Sequence, residues 1–232
     1  MYKRLEEGAA GDGPVEDVKR SVLAVVQRMD RLGLTSGSAG NVSARADGGE
    51  IVVTPTAMPY PEMETKDLVV CDADGRVIGG KRAPTTELAL HLACLGRHPD
   101  IHAVVHTHAV HASMFAVNRE PIPCVVEEFE YAVGGDVLVC DYHRTGSDSL
   151  GDAVADLLGD RAAALIANHG LVVVGRDAQD ALALTELVER AAQIVQGARA
   201  MGEPKPLPDA VRRAFAEEYL TRRRGGARAS RS

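Results

Sequence analysis

The chain has 232 residues, enough for one sizeable core, and its 45% hydrophobic and 25% charged content is ordinary for a globular protein. A formal charge of −7 and a sequence pI near 5.6 argue against a general binder of nucleic acid or anionic membranes, since either would need basic surface. Aromatic residues make up 3% and Trp is absent, so Ala, Val and Leu must build the core.

Residues 1–13 are polar and Gly-rich and read as a flexible N-terminus without an apolar signal region; no apolar run approaches membrane-spanning length, and the cytoplasm is the default location. Pro14 suits a helix start. Val18, Val22, Val25, Val26 and Met29 then recur at helical spacing, predicting an amphipathic helix over about 15–32 that Gly33 ends. Residues 35–43, Thr-Ser-Gly-Ser-Ala-Gly-Asn-Val-Ser, read as a small-residue loop. Residues 51–54 read as a strand stopped by Pro55, and 67–79 as a hairpin around an Asp-Ala-Asp-Gly turn.

A helix is expected over 86–97, with Leu88, Leu92 and Leu95 on one side, followed by a short buried strand, 103–105, that delivers His106. Beyond His108 the pattern is helical to about Val117. A strand at 137–140, a helix at 150–158 and two strands flanking Asn168-His169-Gly170 come next. A long Ala-rich helix then runs from Asp177, a plausible N-cap, to about Met201, and carries Glu186, Glu189 and Arg190 as a solvated or subunit-facing set. Pro204, Pro206 and Pro208 break it, and a short helix around 209–222 precedes the tail; the basic cluster Arg222, Arg223, Arg224, Arg228 and Arg231 reads as solvated. Cys71, Cys94, Cys124 and Cys140 have no CxxC spacing and read as small core residues. The sum is an α/β fold: a single domain with a central mixed or antiparallel β-sheet and helices on both faces.

His106-Thr107-His108 follows the buried run. In extended chain, side chains two apart point the same way, with Cα atoms roughly 6–7 Å apart, so both imidazoles can converge on one metal ion. His169, in its tight Asn-His-Gly turn, is the best third ligand. Three neutral His ligands leave the ion its full charge and an open position, the pattern of a catalytic site. Taken alone, HxH fits core histidines as well, and His111 fits a supporting or structural role.

The surrounding residues carry more. Five segments in order resemble the class II aldolase and adducin-head family: residues 33–43, Gly-Leu-Thr-Ser-Gly-Ser-Ala-Gly-Asn-Val-Ser; Thr54-Pro55-Thr56; Pro84-Thr85-Thr86-Glu87; His106-Thr107-His108-Ala109-Val110-His111; and Asn168-His169-Gly170-Leu171. The resemblance spans about 18–202. It implies a catalytic domain over 14–222 with a flexible basic tail at 223–232, and His106, His108 and His169 as ligands of Zn²⁺, with Mn²⁺, Co²⁺ or Fe²⁺ as other candidates. It implies Glu87 as the catalytic acid/base. It implies Ser38, Asn41, Thr56, the residue at Ala57, Thr85 and Thr86 around a substrate phosphate, and a homotetramer with active sites between neighbouring subunits.

The implied reaction is metal-dependent aldol cleavage of a ketose 1-phosphate to dihydroxyacetone phosphate and a small aldehyde. A sugar-phosphate 4-epimerase and a methylthioribulose-phosphate dehydratase are alternatives on the same scaffold, and a non-enzymatic adducin-like interaction domain is a distant one. The sequence departs from the family pattern in two places. Ala57 stands where Gly is expected, and Ala donates the same backbone N–H only if φ need not be positive. Glu127 and Glu128 stand where a tyrosine that handles the aldehyde is expected, leaving Tyr131, one turn away, and Tyr219 as candidates for that end.

Overall fold

The computed structural model describes residues 13–229, with side chains described as far as Gly225; the expectation for 1–13 therefore falls, but for Gly13, outside the described residues. The order of elements is α1 (Pro14–Arg31), β1 (Asn41–Arg45), β2 (Ile51–Val53), β3 (Val69–Cys71), β4 (Val77–Gly79), α2 (Leu88–Arg97), β5 (Ala103–Thr107), α3 (Val110–Asn118), α4 (Glu127–Val133), β6 (Leu138–Cys140), α5 (Asp148–Leu158), β7 (Ala163–Ile166), β8 (Gly170–Gly175), α6 (Ala178–Met201) and α7 (Asp209–Ala229). The strands form one eight-stranded sheet in the order β4-β3-β2-β1-β5-β8-β7-β6. Every pairing is antiparallel except β6 with β7, which gives the expected mixed sheet in one α/β domain.

The central strands are buried on both faces, and their side chains alternate between two cores. Val42, Ala44, Ala103, Val105, Leu165, Leu171 and Val173 pack on the side covered by α1, α3, α4 and α6. Val104, Ala164, Ile166, Val172 and Val174 pack on the other side against α2 and α5. Helix α1 starts at Pro14 and turns Val22, Val25, Val26 and Met29 into the first core, so the periodicity in the sequence is the packing stripe in the fold.

Four expectations need correction. Residues 41–43 are strand, not loop: β1 pairs with both β2 and β5, and this pairing overrides the small-residue composition. The buried face of α2 is Leu90, His91, Cys94 and Leu95, while Leu88 and Leu92 are only half-buried. Helix α4 was not expected at all; it is a seven-residue helix that buries Phe129, Glu130 and Val133. Helix α7 continues past residue 222, and Arg223 is buried, so the basic segment is not simply a solvated tail. Arg223 Nε donates to Asp100 Oδ2 at 2.5 Å and Nη1 to the Arg161 carbonyl at 2.9 Å, while Arg212 bonds the buried Glu130 at 2.9 Å. These contacts pin both ends of the helix.

Candidate metal and catalytic site

His106 lies within β5 and His108 just beyond it, so the HxH pair is presented at the end of a fully buried strand. β8 is the antiparallel neighbour of β5, and the β7–β8 turn carries His169 to the same end. Asn168 supplies the positive φ of 56° that the turn needs, a conformation Asn tolerates better than most residues. The three rings stand mutually edge-on, with centroids 5.1, 4.7 and 5.0 Å apart.

One ring nitrogen from each lies within 4.8 Å of the others. His106 Nδ1 faces the Leu171 carbonyl at 3.0 Å; it therefore carries the proton, and Nε2 is left with its lone pair. That Nε2 is 3.2 Å from His108 Nε2. Two nitrogens bound tetrahedrally to one zinc ion at its usual bond length lie about 3.3 Å apart. Burial holds His106 neutral, well below the ordinary imidazole pKa and against the opposing pull of Glu87, and it lowers His108 too. Neutral nitrogens are what a metal needs. The buried Glu87 Oε1, which faces His169 Nε2, has no hydrogen-bond partner, as expected of a group beside a cation. The donor set and its geometry fit a divalent transition-metal ion.

Glu87 is the N-cap of α2, and its carboxylate lies 3.3 Å from His106 Nε2 and 3.8 Å from His169 Nε2. It is 5% exposed. Burial raises its pKa, but His106, a hydrogen bond from Asn41, His169 and His91 together outweigh that, so the carboxyl sits below its ordinary value and is ionised at neutral pH.

A network absent from the sequence reading lies under Glu87. Asn41 is the register partner of His106 across β1 and β5. Its Nδ2 donates to Glu87 Oε2 at 2.9 Å, and its Oδ1 lies 2.5 Å from Nε2 of the fully buried His91. His91 Nδ1 is 2.7 Å from Ser43 Oγ. The side chain of Asn41, one of the residues expected around a phosphate, is thus engaged by Glu87 and His91. The signal for His91 was present as two matched spacings. Glu87 and His91 are one helical turn apart, about 6 Å, and Asn41 and Ser43 are two strand residues apart, about 6.8 Å.

The other expected phosphate residues lie on adjoining segments. Thr54 bonds Val42 and accepts from the Thr85 N–H, and the Thr56 N–H donates to Ala83, so 54–56 and 83–85 run side by side next to β1. Thr85 is buried and accepts from the Glu87 N–H at 3.3 Å, whereas Thr86 and Ser38 are exposed. Ala57 has a φ of +54°, so the condition under which Ala serves as well as Gly is not met. The loop before β1 is held by Thr35, which bonds the Ala39 carbonyl, and by Tyr60, whose hydroxyl donates to Gly40 at 2.5 Å.

Tyr131 and Tyr219 are not brought to the histidines of their own chain. They line a cavity of about 320 Å³ with Asp100, Arg176 and Arg223 beside Val174 and Gly175, at the opposite end of β8 from Gly170. Glu127 and Glu128 are exposed at the start of α4. His111 bonds Gln196 at 2.7 Å and stands apart from the ligand set. Glu189 has a role the sequence did not suggest: its carboxylate accepts from the His111 and Ala112 N–H groups at 2.8 and 2.9 Å. Helix α3, which lacks a side-chain cap of its own, is thereby capped by α6 immediately after His108.

A sheet that gathers three histidines at one end, with the buried carboxylate at the start of α2 beside them, is a candidate metal centre with an acid/base group next to it. The chain belongs to the class II aldolase and adducin N-terminal domain family, whose pattern matches residues 20–196. It is 34% identical to the 5-deoxy-D-ribulose 1-phosphate aldolase of Bacillus thuringiensis serovar kurstaki, over 82% of this chain and 90% of that one. It is 35% identical to the L-fuculose phosphate aldolase of Escherichia coli O6:H1, over 81% of this chain and 86% of the relative. A solved structure of an L-fuculose 1-phosphate aldolase superposes with a TM-score of 0.84 at 31% identity, covering 90% of this chain and 97% of that one. No helix among the described residues is long and apolar enough to cross a membrane.

Proposed function

We propose that the protein is a zinc-dependent aldolase that reversibly cleaves a ketose 1-phosphate to dihydroxyacetone phosphate and a small aldehyde, with L-fuculose 1-phosphate and 5-deoxyribulose 1-phosphate as the leading substrates. The observation that carries the reading is the Glu87 carboxylate, buried 3.3 Å from His106 in a cluster of three histidines whose ring nitrogens converge. The aldolase names of the relatives that span most of the chain support it.

His106, His108 and His169 would hold the ion, which when bound supplies Lewis-acid stabilisation of the charge that develops on the substrate's carbonyl side as the C–C bond breaks. Glu87 takes the proton from the hydroxyl on the departing carbon; the C–C electron pair is left on the carbon next to the carbonyl, and Glu87 returns the proton there. Ser38, Thr56, Thr85 and Thr86 offer hydroxyls, and the Ala57 N–H and the start of α2 add donors and partial positive charge, for the phosphate.

The functional unit is a homotetramer with its sites between subunits. Val110, Met114 and Val117, at helical spacing on α3 directly after the histidine pair, are all exposed, and this favours burial of that stripe against a second copy. The four buried, unpaired cysteines suit a reducing cytoplasm.

The test is release of dihydroxyacetone phosphate from each of the two sugars by metal-loaded protein, beside a Glu87→Gln variant and a chelated sample. Release lost in both controls supports the reading. Bound metal with release from neither sugar overturns it.

A further inference from the structure

We propose that His91 is a positioning residue for Glu87, acting through the side-chain amide of Asn41. The proposal rests on the reading of Glu87 as the acid/base.

Each link of the chain fixes the next. An ionised carboxylate only accepts, so the Asn41 atom 2.9 Å from Glu87 Oε2 must be the NH₂ group. The Asn41 carbonyl oxygen is thereby turned to His91 Nε2 at 2.5 Å and needs a donor, so His91 must carry its proton on Nε2. His91 Nδ1 then bears the lone pair and accepts from the Ser43 hydroxyl at 2.7 Å. The ring is fully buried, which disfavours the imidazolium, so the two hydrogen bonds set the tautomer of a neutral ring.

Without the His91 donor, the Asn41 amide could rotate and set its oxygen against the carboxylate. Glu87 would then lose the hydrogen bond from Asn41 that aims it. Asn41 is also the strand partner of His106, so the network ties the direction of the carboxylate to the strand that presents the histidines. A purely structural His91 would fill the core and satisfy Ser43 with no bearing on Glu87.

The experiment compares wild type, His91→Leu and His91→Gln in three readouts: bound metal, steady-state kinetics with the two ketose 1-phosphates, and crystal structures. In H91L the metal content should be unchanged and KM should stay within about twofold, while kcat falls about 10–100-fold, the scale of a misdirected catalytic group. H91Q keeps an N–H donor near the Nε2 position and should recover to within about fivefold of wild type. The Asn41–Glu87 contact should be lost in the H91L crystal and kept in H91Q. Wild-type kcat in H91L, an equal loss in both variants, a loss confined to KM or metal content, or an intact Asn41–Glu87 contact in H91L would each overturn the proposal. If H91L does not fold, Ser43→Ala removes only one hydroxyl and should lower kcat by about threefold or more at unchanged KM; unchanged kcat would count against the network. If the wild-type protein cleaves neither sugar, the acid/base reading fails by itself, and the crystal comparison still decides whether His91 sets the direction of Asn41 and Glu87.

Discussion

Gly170 lies so close to Thr107 that a Cβ on it would sit 2.4 Å from the Thr107 carbonyl oxygen and 3.0 Å from the His108 ring. This approach brings the turn bearing His169 against the end of β5. Gly170→Ala should push the turn away from His106 and His108, lowering metal affinity at least about tenfold and stability by about 1–3 kcal/mol. Calorimetric metal titration and thermal unfolding measure the two. Wild-type metal binding in G170A would mean that the tight approach is not what places the third ligand.

Glu87 is set apart from the ligands by its chemistry. The three histidines supply nitrogen donors without it, so Glu87→Gln should retain bound metal while kcat/KM falls about 10²–10⁴-fold. Chelation should abolish the same activity, and added metal should restore it. Loss of metal from E87Q would instead make the carboxylate a required ligand.

Ala57 carries a backbone conformation that suits glycine, with a φ of +54°. The left-handed region costs an alanine roughly 1–2 kcal/mol, and the greater freedom of glycine in the unfolded chain takes back part of the gain. Ala57→Gly should therefore stabilise the protein by about 0.5–1 kcal/mol, read from denaturant midpoints. A destabilised A57G would show that the Ala57 methyl makes packing contacts worth more than the strain.

Arg223 was read from its Gly- and Arg-rich surroundings as part of a solvated tail, yet it pairs with Asp100, 123 positions away, at 2.5 Å. Arg223→Ala leaves Asp100 and the Arg161 carbonyl without this donor and should destabilise by about 2 kcal/mol. Arg224→Ala, whose pair with Asp160 is exposed on both sides, should cost less than about 0.5 kcal/mol. Equal effects would place Arg223 in solvent.

These cases mark what was legible. The HxH pair could be read because strand alternation is local, and His169 because its turn residues are local too. β1 was hidden because Asn41 and Ser43 favour turns by themselves and become strand through pairing with Val53, Val104 and His106. Helix α4 is short and acidic; burial of Phe129 and Val133 and the Arg212 bond to Glu130 make it a helix. His91 looked like one more histidine because its partners lie 48 and 50 residues away. Out of reach were contacts between segments far apart in the sequence.

The same burial of His91 predicts a pH dependence of stability. Its folded pKa is lowered to about 4 from an ordinary 6.5, chiefly by burial, with Glu87 pulling weakly the other way. The unfolded chain therefore takes up a proton near pH 6.5 that the folded chain refuses until about pH 4. Between those values the unfolded state binds more protons, so stability is full above pH 6.5 and falls as the pH drops. His106 acts in the same direction. Unfolding of metal-free protein by urea between pH 6.5 and 4.5 should show this fall in the wild type. In H91Q its slope should be smaller by up to one proton, about 1.4 kcal/mol per pH unit. Parallel curves would mean that His91 titrates alike in the folded and unfolded chain, which its full burial against Asn41 and Ser43 does not allow.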